Sequence, residues 1–161
     1  KNDLTELSPI SDDKIIEVGL SFDKPYSISE VMEIFPATNV RWFWIDAFTS
    51  QDFAQYRKEA EEHDPKSSYI SEYDALGVSM RYYPGTIGNF TSQYSLFLKD
   101  LKAAKAAEYR DIYNELNKKG YADASKVPVL GVIVHGTKDQ LAHLTNNPHI
   151  KASSFGVIAD K

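Results

Sequence analysis

The sequence predicts an α+β fold. Two observations carry that prediction. The two ends of the chain share one order of strand, capped helix and second strand, and the stretch between them reads as mostly helical. Aligning Ser27 with Thr137 sets Ser27-Ile28-Ser29-Glu30 on Thr137-Lys138-Asp139-Gln140, and Asn39-Val40-Arg41-Trp42 on His149-Ile150-Lys151-Ala152. Identity between the halves is low, so the repeat is one of structure. Two split β-α-β units packed as one antiparallel sheet, with helices on one face, make the ferredoxin-like arrangement of this class. Here that arrangement is enlarged by an inserted, largely helical region over about residues 49–128.

Each element has a local reason. Residues 1–13 lack periodicity and contain Ser8-Pro9 and Ser11-Asp12-Asp13, so they read as a linker or tether, with one domain over 14–161. Ile16, Val18, Leu20 and Phe22 alternate as a half-buried strand should. Ser27 and Thr137 each stand three residues before a Glu or Gln, the reciprocal pattern in which two orphan helix N–H groups are satisfied at once. Val31, Ile34 and Phe35, and then Leu141 and Leu144, give the two helices an apolar stripe, with Pro36 and Pro148 expected to stop them.

The second strand begins at Val40. Gln51 to Lys66 is highly charged, and Phe53 and Tyr56 are spaced for one turn of a short exposed helix that ends before Pro65. Within Ile70–Tyr83, Leu76, Val78 and Met80 alternate, which fits either an added strand or an irregular insertion. From Thr91 to Lys118 apolar residues recur at three and four, as one long helix or two consecutive ones, with Gly120 as the stop. Tyr121–Pro128 leads into the strand at Val129.

With 161 residues the chain is long enough for one core and short for two. Its net charge of -5 argues against nucleic acid, which needs a clustered basic surface. The absence of cysteine removes disulfides, thiolate nucleophiles and Cys-based zinc sites. No apolar run approaches the ~20 residues of a membrane span. The start at Lys1-Asn2-Asp3, without Met, leads to the expectation of a fragment with a segment missing upstream.

The most prominent local signal is Arg41-Trp42-Phe43-Trp44-Ile45. Strict alternation puts Val40, Trp42 and Trp44 on one face and Phe43, Ile45 and Ala47 on the other. A strand apolar on both faces is normally sandwiched. Each Trp buries roughly 150–250 Å², about 4 to 6 kcal/mol as an upper bound. Core is therefore the first reading of Trp42 and Trp44, and an aromatic binding surface is the second.

Glu59, Glu61, Glu62, His63 and Asp64 are metal-ligand types, but consecutive helical positions diverge and read as a solvated face. His135, His143 and His149 lack zinc spacing and read as surface or packing residues, with pH sensing as the alternative. Gly85-Thr86-Ile87-Gly88 resembles a backbone-clamping Gly-x-x-Gly loop, although an unusual turn explains it better. Asn89-Phe90-Thr91 is formally a glycosylation sequon.

No nucleophile elbow, phosphate loop or dinucleotide fingerprint occurs. An acylphosphatase-like enzyme needs an Arg- and Gly-bearing phosphate cradle after the first strand, where this chain has Phe22-Asp23-Lys24-Pro25-Tyr26. The expectation is a non-catalytic domain without cofactor or metal, and with no assigned site residue.

Three stretches resemble a known family: Glu17-Val-Gly-Leu-Ser-Phe-Asp-Lys-Pro-Tyr26, Val40-Arg-Trp-Phe-Trp-Ile-Asp46, and Val129-Leu-Gly-Val-Ile-Val-His-Gly-Thr-Lys-Asp-Gln-Leu141. Together they are similar to the C-terminal domain of bacterial sigma factor regulators, the membrane-anchored anti-sigma factors of Gram-positive bacteria. The resemblance runs from about Lys14 to Ile158 and carries no ligand residues. It implies a domain outside the cytoplasmic membrane, joined by one membrane helix to a cytoplasmic segment that restrains a sigma factor, with an unidentified extracytoplasmic ligand or protein as second partner. The alternatives from other classes are a soluble small-molecule-binding module of the same fold and a purely structural interaction domain.

Overall fold

The computed structural model describes residues 1–35, 39–62, 75–80, 82–83 and 86–161. Strand β1 (Lys14–Tyr26) organises the sheet. Its alternating Ile16, Val18, Leu20 and Phe22 are all buried, so one face must be covered. β1 pairs antiparallel with β4 (Val129–Gly136) on one side and with β5 (Ile150–Asp160) on the other. β4 also pairs antiparallel with β2 (Val40–Ile45). β1 and β2 therefore run in the same direction with β4 between them, the signature of a split β-α-β unit.

The crossover within that unit is α1 (Ile28–Ile34), and its counterpart between β4 and β5 is α5 (Lys138–Ala142). With β3 (Gly77–Ser79) added beyond β2, the five-stranded order is β3-β2-β4-β1-β5. The ferredoxin-like α+β arrangement is present, extended by one edge strand.

Both helix starts are reciprocal capping boxes. Ser27 N donates to Glu30 Oε2 at 2.7 Å, and Thr137 N to Gln140 Oε1 at 2.9 Å. The stops differ from expectation. Phe35 is extended, at φ -123° and ψ 139°, as a residue before proline prefers, while Pro36 itself lies outside the described residues. α5 ends at Ala142, well before Pro148. Its exit is a series of turns with Leu144 N on Leu141 O, Thr145 N on Ala142 O, and Asn146 at φ 63°.

The insertion contains α2 (Ser50–Glu62), β3, α3 (Ile87–Ala103) and α4 (Ala107–Lys118). α2 buries none of its residues, as its charge predicts, and it opens on a further reciprocal cap. Thr49 N and Oγ1 donate to Asp52 Oδ2 at 2.6 and 2.8 Å, and Asp52 N returns to Thr49 Oγ1 at 3.2 Å. Of the Ile70–Tyr83 stretch, Gly77–Ser79 is an added strand paired with β2.

Residues 87–118 form two helices rather than one. Ala104 and Ala106 are both extended, and the Arg110 guanidinium donates to the carbonyls of Ala104 and Lys105 at 2.7 and 2.6 Å, which holds the break. Gly120 closes α4 at φ 79°, a left-handed conformation that glycine adopts without steric cost.

The core lies between the sheet and the helices. Phe43 of β2 meets Phe90 of α3 edge to face, with ring centroids 5.0 Å apart, and Phe90 stacks on Tyr94. Tyr94 is fully buried, and its hydroxyl donates to Tyr121 O at 2.7 Å.

Residues 1–13 are more than a plain tether. Asp3–Glu6 forms a 3₁₀ turn, and Leu4 and Leu7 join the core. Asn2 makes a parallel bridge with Ser153 on the edge of β5. Buried Ser153 accepts from Leu4 N at 3.0 Å and donates to Asn2 Oδ1 at 2.7 Å, while Phe155 N donates to Asp3 Oδ2 at 2.9 Å. Leu4, Leu7 and Ile10 recur at three over too short and Pro-interrupted a stretch to read as a helix, yet their burial is what docks this strap.

Candidate functional site

The helices cover one face of the sheet, and the other face carries the two tryptophans. Trp42 and Trp44 are half-buried rather than core residues, while Phe43 and Ile45 are fully buried on the opposite side. Val40, expected beside the tryptophans, is buried with the core. The cause is a register shift: Val40 faces Val134 and Trp42 faces Ile133, so two residue steps on β2 oppose one on β4. The extra residue at Arg41 turns Val40 inward.

The tryptophans wall a shallow groove of about 330 Å³. Its floor is made of small residues from β1 and β5, namely Gly19, Ser21, Ala152 and Ser154, with Ile133 from β4 between them and the tryptophans. Lys1 and Ser153 stand at its strap end. Trp42 is held in place by a missing side chain: a Cβ on Gly77 would come within 2.2 Å of the indole. Trp44 lies opposite Gly77 on one side and Gly131 on the other. A Cβ at Gly131 would lie 2.2 Å from Leu20 O, so the close approach of β4 to β1 requires glycine there.

Trp44 packs edge to face on buried Phe48, with centroids 6.2 Å apart. Its Nε1 and Asp46 Oδ1 are shut off from solvent without a hydrogen-bond partner among the described residues. Burial raises the Asp46 carboxyl above its ordinary pKa, opposed by the Lys119 charge and the Phe48 amide.

The histidines do not converge. His135 Nε2 lies 2.8 Å from Glu17 Oε2 on the helix-free face, across the β1–β4 pair. His149 Nδ1 lies 2.7 Å from Tyr26 Oη, which donates to Asp23 Oδ1 at 2.7 Å. Burial and the Asp23 carboxylate push the Tyr26 phenol up to about 12, and the Tyr26 hydroxyl holds Asp23 low. Because that hydroxyl donates to Asp23, it accepts from His149, which assigns the ring proton to Nδ1. His143 is exposed at the end of α5.

Glu59, Glu61 and Glu62 lie on α2, which buries none of its residues, while His63 and Asp64 fall outside the described residues. Among the described residues no three His, Asp or Glu side chains are grouped to hold a metal ion. In the Gly85–Gly88 stretch, Thr86 is the N-cap of α3 and Gly88 sits in its first turn, a helix start where an unusual turn was expected; Gly85 is outside the described residues. Asn89 and Thr91 of the sequon lie on the same helix, around fully buried Phe90.

A second cleft, about 340 Å³, opens between α2 and α4 beside Asp52, Tyr56, Glu108, Tyr109 and Asp111. It is acidic, whereas the tryptophan groove contains no carboxylate among the described residues.

The groove's signal was present in the sequence as Gly19 and Ser21 alternating with buried Val18, Leu20 and Phe22. Small residues between large ones on a strand leave a hollow on the second face. Its counterpart residues, Ala152 and Ser154, lie more than a hundred positions away.

Residues 7–157 match the family described as sigma factor regulator C-terminal. No curated protein and no solved structure gives a significant match.

Proposed function

The chain belongs to the sigma factor regulator C-terminal family, and from that premise we propose that it is the outer, non-catalytic sensor domain of a membrane-anchored anti-sigma factor. The sigma factor is restrained by a cytoplasmic segment elsewhere in the regulator, and this domain biases that restraint. Among the described residues no helix is long and apolar enough to cross a membrane, so in this reading the anchor lies outside the 161 residues.

The observation that carries the sensing role is shared structure. Lys1 and Ser153 line the tryptophan groove and also belong to the strap contact. Ser153 N donates to Lys1 O at 3.2 Å, so whatever occupies the groove touches the residues that hold the strap. An occupant with different affinities for strap-docked and strap-released states shifts their ratio, whereas one with equal affinities shifts nothing.

The test is the topology of the complete regulator, with a reporter fused after Lys161 and protease added to intact protoplasts. The reading expects an external, protease-accessible C-terminus. A cytoplasmic C-terminus would overturn it and favour a soluble ligand-binding module.

A further inference from the structure

We propose that the tryptophan groove is a binding site for a planar, ring-bearing molecule that carries one acidic group. The walls favour rings because both indoles are fixed before any ligand arrives, Trp42 over Gly77 and Trp44 against Phe48. A preset aromatic wall loses little conformational entropy on binding. The small side chains of Gly19, Ser21, Ala152 and Ser154 keep the floor low enough to admit a ring.

The polar groups define the rest of the ligand. In a chain of net charge -5, the groove has no carboxylate among the described residues, and among these its sole charged lining side chain is Lys1. Lys1 Nζ is 2.8 Å from Asp3 Oδ2 but its side chain remains 69% exposed, with ammonium protons to spare for a second anion. The hydroxyls of Ser21 and Ser154 have no hydrogen-bond partner among the described residues and are open to a ligand oxygen. Rings therefore seat on Trp42 and Trp44, and the acidic group points to the Lys1 end.

The site rests on the sensor reading only for its regulatory consequence, because binding is measured on the 161-residue chain alone. The probe is anilinonaphthalene sulfonate, with neutral phenylnaphthylamine as its uncharged partner. The chain has two tryptophans and both wall the groove, so tryptophan quenching weights probe bound there most heavily, and the groove variants separate it from probe bound elsewhere.

The expected result is saturable one-to-one quenching by the sulfonate. Lys1→Gln, or the neutral probe, weakens binding about 1.5- to 5-fold, the range for an exposed charge pair. Trp42→Ala weakens it about 2- to 12-fold, the range for an aromatic pair. Ser154→Phe, at an exposed edge-strand position, fills the groove and removes saturable quenching even if Trp42→Ala fails to fold. Val157→Ser, on the exposed apolar end of β5, leaves binding unchanged. Wild-type binding in Ser154→Phe, or quenching that never saturates, would overturn the site. Equal affinity for the two probes would overturn the acidic group.

Discussion

Replacing Ser153 with alanine weakens the hold of the N-terminal strap on β5. Ser153 is 2% exposed, and its hydroxyl serves two bonds, accepting from Leu4 N at 3.0 Å and donating to Asn2 Oδ1 at 2.7 Å. Asn2 is exposed and regains water when the hydroxyl is lost. Leu4 is 2% exposed, and its amide is left buried and unpaired at a cost of about 1–3 kcal/mol. At about 1.4 kcal/mol per factor of ten, the strap opens about 5- to 140-fold more often. Amide hydrogen exchange followed by NMR measures this directly. The reporters are Ser153 N, bonded to Lys1 O, and Phe155 N, bonded to the Asp3 carboxylate. Both should exchange faster by that factor in Ser153→Ala and at the wild-type rate in Ser154→Ala. Unchanged rates at both amides in Ser153→Ala would refute the strap argument.

The same contact is sensitive to acid. The Lys1 ammonium and then the Phe155 amide hold the Asp3 carboxyl below its ordinary value. Its contribution is present above the unfolded value of about 4 and is lost as pH falls through the depressed folded value, so the protection of the strap amides, taken against intrinsic exchange at each pH, should fall in that acid window and lose this pH dependence in Asp3→Asn. Ser27→Ala and Thr137→Ala should each lower stability by about 0.5–2 kcal/mol in urea titrations, because each removes one half of a matched capping box. Gly77→Ala drives a methyl group into the Trp42 indole and toward Phe43 O, 2.5 Å away. It should cost about 1–3 kcal/mol and shift tryptophan emission; a stable variant with wild-type emission would mean that Trp42 is not seated on Gly77.

What could be read in the sequence was local. The capping boxes need only four consecutive residues, and the alternation of Ile16 to Phe22 is set by the two-residue period of a strand. These were enough to identify the duplicated units and, from them, the ferredoxin-like α+β class. The break between α3 and α4 left open in the sequence depends on Arg110 reaching back to carbonyls five and six residues earlier. The core reading of Trp42 and Trp44 gave way because a bulge at Arg41 separates Val40 from their face, and among the described residues the helices cover the opposite side of the sheet. The strap was unreadable for a different reason. Leu4, Leu7 and Ile10 span too few residues to make a pattern, and the serine that latches Leu4 is 149 positions away. The groove likewise assembles from four strands, and its lining residues come together only once the sheet has formed.

The proposed role of this domain is to control a sigma factor through a membrane anchor. Its most direct test is sigma-dependent transcription in cells whose complete regulator lacks the domain or carries Ser154→Phe, compared across envelope stresses. The account predicts that stress-dependent output is lost in both, with the truncated regulator fixed at one level. Wild-type stress responses in the cells lacking the domain would contradict it.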